Sequence, residues 1–255
     1  MASKKFGEVK GPFILWFFFT LYFAILVAFV GSSKQTLPQD ITIFLVLNLL
    51  FNMVMNGGVF LVFLIIFLAV WEKQRSLRGI FSSVGVKKEG FVKSVLWGIA
   101  LFPLFLAIGL ITLMLSFFLG PVPFLRAFIS DSGQFPRWYL YYMVINSFFP
   151  VAVVEETVGR GYILDRLLPH HPSNLAEALP AILLGSLLFT LWHLPAYLKV
   201  YALSLPWVVA LLAGNVFPLS VSLSIAYVRS RTRNIAGPVL IHFLLDSVPY
   251  ILMFA

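Results

Sequence analysis

Between Ile41 and Trp71 the chain runs 31 residues without a single charged side chain. Lipid offers a peptide backbone no hydrogen-bond partners, so a segment of this kind must satisfy its own N–H and C=O groups. A helix does this from within, and only a closed barrel offers an alternative. As a helix the run would be about 46 Å long, against a hydrocarbon core of about 30 Å. It must therefore tilt or bend, and Gly57-Gly58 marks where a bend would fall.

Six further runs are predominantly apolar: Phe13 to Val30, Ser94 to Leu119, Arg137 to Leu168, Leu179 to Leu198, Pro206 to Val228 and Ile235 to Phe254. The first is longer than the ~7–15 apolar residues of a signal peptide and reads as a retained helix. Together the runs predict an all-α, polytopic membrane helical bundle in a single domain, residues 1–255. Seven transmembrane helices are expected, or eight if the second run splits or a segment re-enters. Charged residues make up 11% of the chain, where soluble domains carry about 25%. There is no cysteine, so neither disulfides nor thiolate chemistry is available.

The net charge of +8 finds its explanation in topology. With the N-terminus in the cytoplasm, thirteen basic residues fall in inner segments and four in outer ones, with Arg160 left inside a span. That is the positive-inside pattern of an integral multi-pass protein. Membrane lipid is then the expected partner, and nucleic acid is not. The polar stretch from Glu72 to Lys93 carries Leu77, Ile80, Phe81 and Val84 at amphipathic spacing, which suits a helix in the headgroup region. Pro169-His170-His171-Pro172 reads as a solvent-facing loop, with Ser173 capping the helix that follows.

A few ionisable residues remain at membrane depth, all in the second half of the chain. Glu155, Glu156 and Arg160 interrupt an otherwise apolar stretch from Trp138 to Ile163. Each such group costs ~2.5–3.5 kcal/mol at a helix centre on insertion scales, so they need a polar interior and partners. Glu156 and Arg160 are four apart and share a helical face. Glu155 points about 100° away, so it is left to face a cavity while Arg160 neutralises Glu156. His193 lies in the fifth run. His242 and Asp246 lie four apart on the last, where the aspartate can fix the imidazole tautomer. A glutamate and two histidines with no adjacent nucleophile suit activation of water, with an imidazole or backbone donor at the developing oxyanion. Glu155, His193 and His242 could equally hold zinc, with water in its open position.

Glu155-Glu156-x-x-x-Arg160, Phe189-x-x-x-His193 and His242-x-x-x-Asp246, in that order on successive helices, resemble the CPBP (Abi) family of intramembrane proteases. Its best-known members are the type II CAAX prenyl endopeptidases. The resemblance covers 138–250 as a catalytic core and leaves 1–137 as the variable N-terminal helices. It implies an endopeptidase that removes a C-terminal tripeptide from a prenylated protein, or cuts another peptide tail. Glu155 would activate water with help from His193, while Glu156 and Arg160 would shape the site. His242 with Asp246 would bind the oxyanion or carbonyl, Asp246 by orienting His242, since an ionised carboxylate cannot donate. Gly159 stands where the family often has a bulky apolar residue. The expected location is the cell membrane of a prokaryote or the endoplasmic reticulum of a eukaryote. Two rivals keep the same residues: a non-catalytic scaffold or regulator of the same fold, and a proton-coupled transporter.

Overall fold

The computed structural model describes residues 6–31, 41–118, 138–169, 172–199, 208 and 212–254. All regular structure among them is helical: α1 (Phe6–Gly31), α2 (Ile41–Asn52), α3 (Phe60–Trp71), α4 (Leu77–Ser83), α5 (Phe91–Phe118), α6 (Trp138–Asn146), α7 (Val154–Glu156), α8 (Asp165–Leu167), α9 (Leu175–Trp192), α10 (Leu194–Lys199), α11 (Phe217–Ser230) and α12 (Ala236–Phe254). Three helical stretches are long and apolar enough to cross a membrane: Leu49–Trp71, Phe91–Ile111 and Leu175–Leu198. Lys10–Ile25 and Ala236–Val248 are shorter apolar helices.

The second run does not split. α2 and α3 are joined through Met53–Val59, whose turns are widened to i→i+5 hydrogen bonding and contain Gly57-Gly58. The same widening joins α6 to α7 through Ser147–Val153 and α7 to α8 through Thr157–Leu164. Pro150 accounts for the first of these, because its nitrogen cannot donate and its ring clashes with a regular turn. Wide turns of this kind cluster at functional sites, and here they flank both glutamates.

The surface is apolar and the interior is where polarity gathers. Phe17, Val62, Val70, Leu96 and Ile111 are exposed. Ser94, Ser186, Ser220, Ser222 and Ser224 are buried together with Glu156 and Arg160. This inversion is the arrangement expected of helices solvated by lipid, whose contacts rely on small and hydroxyl residues. α9 meets α11 through Ser186 Oγ and Ser224 Oγ, 3.3 Å apart. α5 crosses α12 at Gly98 and Gly237, where a Cβ on Gly237 would collide with the Ser94 carbonyl oxygen. α1 packs on α9 through a Trp16 Nε1 hydrogen bond to the Leu188 carbonyl, 2.7 Å.

The stretch from Glu72 to Lys93 holds α4, with Leu77 exposed on one side and its other side packed on the protein. Its helix is short, and Ile80 and Val84 are buried in the protein. Gly161 has no room for a Cβ against the Val84 carbonyl, and Ile235 N donates to the Gly85 carbonyl at 3.2 Å. The segment is a docked connection because the last helix needs an anchor for its first turn. Asn234 supplies that anchor, donating from Nδ2 to the Lys87 and Glu89 carbonyls at 2.6 and 3.2 Å and accepting from Ala236 N at 2.9 Å. The α9 cap also shifts by one residue. Asn174 accepts from Glu177 N at 3.1 Å, while Ser173 donates to the Glu177 carboxylate. His170 and His171 lie outside the described residues.

Candidate active site

The side chains of Glu155 and Glu156 take different environments, as their 100° separation requires. Glu156 is fully buried, and its Oε1 accepts from Arg160 Nη1 at 2.8 Å. The guanidinium continues inward, with Nη2 donating to Ser220 Oγ at 2.6 Å and to the Ser220 carbonyl at 2.9 Å. Its flat face lies 4.3 Å from the centroid of Phe189. Gly159 makes space for that ring, since a Cβ there would sit 3.0 Å from Phe189 Cδ2. A bulky residue at this position would push the aromatic off the arginine.

Glu155 faces a cavity of about 290 Å³, which His193, His242 and Asp246 also line. Its Oε2 lies 3.6 Å from His193 Nε2 and 3.9 Å from His242 Nε2. It has no hydrogen-bond partner among the described residues. The three helices therefore converge.

The tautomers follow from the partners. His193 Nδ1 lies 2.9 Å from the Phe189 carbonyl oxygen. A carbonyl only accepts, so Nδ1 carries the proton and Nε2 turns toward Glu155. The ring is held flat against Trp192, 8° from parallel at 5.6 Å. His242 Nδ1 lies 2.7 Å from Glu156 Oε1, so it donates to the carboxylate that Arg160 also holds. Spacing along the last helix makes Asp246 the expected partner for this nitrogen, and the structure gives that place to Glu156. Glu156 orients His242, while Asp246 Oδ2 approaches the opposite nitrogen, Nε2, at 3.4 Å. The reason is geometric: Asp246 shares the helix of His242 and reaches only the outer side of the ring.

Nε2 of both imidazoles thus approaches one Glu155 oxygen, that of His242 with Asp246 beside it as well, in a space large enough for water. Such a group can hold a water by its protons and draw one from it. Tetrahedral ligands at about 2.0–2.2 Å from a metal stand roughly 3.3–3.6 Å apart; the Glu155–His193 pair at 3.6 Å meets that limit and the Glu155–His242 pair at 3.9 Å lies just beyond it. Among the described residues no group of three or more acids or imidazoles is arranged to hold a metal ion.

Two residues of the sixth run escaped the sequence reading. Ser220 ties the buried arginine to α11, and Asn215, on the wide turn Leu212–Val216, lines the cavity. Neither is charged, and serines and a lone asparagine in an apolar helix commonly serve helix contacts, so only their place in space distinguishes them.

Residues 136–248 match the family described as type II CAAX prenyl endopeptidase Rce1-like. No curated protein and no solved structure gives a significant match. Glu155, Glu156, Arg160, His193, His242 and Asp246 all fall within the matched stretch. That match supports the CPBP, CAAX protease-like family for the part of the chain that holds the site.

Proposed function

We propose that the chain is an intramembrane endopeptidase in which Glu155 activates water against a peptide carbonyl. The observation that carries this reading is the approach of both imidazole Nε2 atoms to the unpartnered Glu155 Oε2 in one cavity. Glu155 takes a proton as the water oxygen attacks the carbonyl carbon. The carbonyl electrons move onto oxygen, and on collapse the C–N bond breaks while the protonated Glu155 returns its proton to the leaving amine. The oxyanion needs donors, and the candidates are an imidazolium Nε2 or the Asn215 amide. Asp246, as a carboxylate, serves the imidazole instead.

The family match favours a CAAX-type tail as substrate, cut after a prenylated cysteine. The membrane topology we propose is multi-pass with the N-terminus cytoplasmic, resting on the thirteen basic residues of the inner segments. A lipidated tail would then enter from the bilayer and meet the site along its own axis.

The test is cleavage of a farnesylated CAAX peptide by purified protein in detergent. Glu155→Gln keeps the shape and removes the base, so the turnover rate is expected to fall by about 10²–10⁴-fold. A variant as active as wild type ends the assignment. Chelator is expected to leave wild-type cleavage unchanged, and loss restored by zinc alone would replace the general base with a metal-bound water. Proteoliposomes that show pH-driven solute flux without hydrolysis would favour the transporter reading.

A further inference from the structure

A second cavity, of about 320 Å³, opens where α11 ends and α9 and α12 begin. Arg229, Arg231 and Arg233 line it, beside Leu168, Leu175 and Val228. Its position follows from the helices: Leu175 opens one of the long apolar stretches, so the cavity lies at the level where spans give way to headgroups. Three arginines around one cavity make it strongly positive unless an anion joins them.

The chain supplies little of that anion to Arg229 and Arg231. Asp165 is shared among Tyr227 Oη at 2.8 Å, Arg166 at 3.4 Å and Arg233 at 3.5 Å, and Arg233 also donates to the Pro169 carbonyl at 3.3 Å. Glu177 is occupied by Ser173 and by the cap of α9, and the amide of Glu177 is itself taken by Asn174. Arg229 and Arg231 are exposed and form no ion pair among the described residues. The residues between them are tied inward. Ser230 Oγ donates to the Tyr227 carbonyl at 2.8 Å and lies 2.9 Å from Thr232 Oγ1.

We propose that this cavity binds the phosphate of an anionic phospholipid headgroup. Guanidinium forks match phosphate oxygens two at a time, and basic pockets between helices at a membrane face are suited to such headgroups. The leucine and valine walls favour an amphiphile over a free ion, since a bare phosphate gains nothing from them. The same phosphate chemistry could come from solution, and the experiment separates the two. The proposal needs only the apolar helices and this cavity, so it stands or falls apart from the peptidase reading.

Native mass spectrometry of the full chain, released from detergent with phosphatidic acid or phosphatidylcholine, reads lipid retention directly. Wild type is expected to retain phosphatidic acid and to lose phosphatidylcholine. R229Q/R231Q is expected to weaken phosphatidic acid binding at least tenfold. R75Q/R78Q, which removes the same charge at two exposed sites elsewhere, is expected to bind within twofold of wild type. The proposal is overturned if R229Q/R231Q binds as wild type does, or if both double variants lose affinity equally. Equal retention of phosphatidylcholine overturns the anionic requirement. Displacement of phosphatidic acid by an equal concentration of inorganic phosphate would make a soluble phosphate the ligand and overturn the lipid assignment.

Discussion

One helical rod, 138–167, carries two ion-pair clusters in opposite circumstances. Glu156 and Arg160 are 0% and 1% exposed. Arg166 and Glu72, at the rod's end, are 22% and 18% exposed and joined by two bonds of 2.6 and 2.9 Å. The outer pair ties the rod to the docked connection that follows α3, with water near enough to take over if either partner leaves. The inner pair has no such substitute. Taking two charges out of water costs several kcal/mol per ion, which a good geometry repays only if the remaining bonds are also made. Arg160 makes two of them to Ser220, and Glu156 makes one to His242 through Oε1, while its Oε2 has no partner among the described residues. The difference teaches that the inner pair is a positioning device whose yield is the orientation of an imidazole. The outer pair is a clasp.

Removing one inner partner should have the largest effect on folding. Arg160→Met leaves a buried carboxylate with His242 as its remaining partner and no full counter-charge, and is expected to cost about 3–5 kcal/mol, measured by unfolding in detergent. Adding Glu156→Met is expected to recover most of that stability while peptide cleavage stays lost, because His242 Nδ1 then has no acceptor. Recovery of cleavage in the double variant would break the positioning argument. Ser220→Ala sits in the middle. It removes one hydrogen bond to a charged group, worth about 1.5–3 kcal/mol, and the lower end is expected since the Ser220 carbonyl still accepts. Glu72→Gln should cost least, about 1 kcal/mol, because the amide oxygen still accepts one of the two Arg166 bonds, and added salt should shrink the difference further. A loss at Glu72 as large as at Arg160 would erase the contrast between the two clusters.

Much of this site is legible along the chain because helical spacing is local. The i,i+4 pairing of Glu156 with Arg160 and the turn of Glu155 toward a different face need no knowledge of any other helix. What the pattern misses depends on neighbours far away in sequence. Asp246 is the natural partner of His242 by spacing, yet Glu156 reaches the inner nitrogen from 86 residues away. Ser220 and Asn215 carry no charge, and Gly159 acquires meaning only once Phe189 is seen beside it. The cap moved from Ser173 to Asn174 because both residues favour that role, and the backbone chose the one extended at φ −146° and ψ 174°.

The residues alone determine that this chain is helical, that lipid solvates it, and that acids and imidazoles must hide together. Apolar runs of such length leave the backbone no other way to meet its hydrogen bonds, and burial leaves the charges no other partners. Which oxygen meets which nitrogen was decided by tertiary structure. Register between helices is set by close approaches such as Gly98 on Gly237 and by the Asn234 anchor of the last helix. Those contacts join residues 140 or so apart, and no periodicity along the chain encodes them.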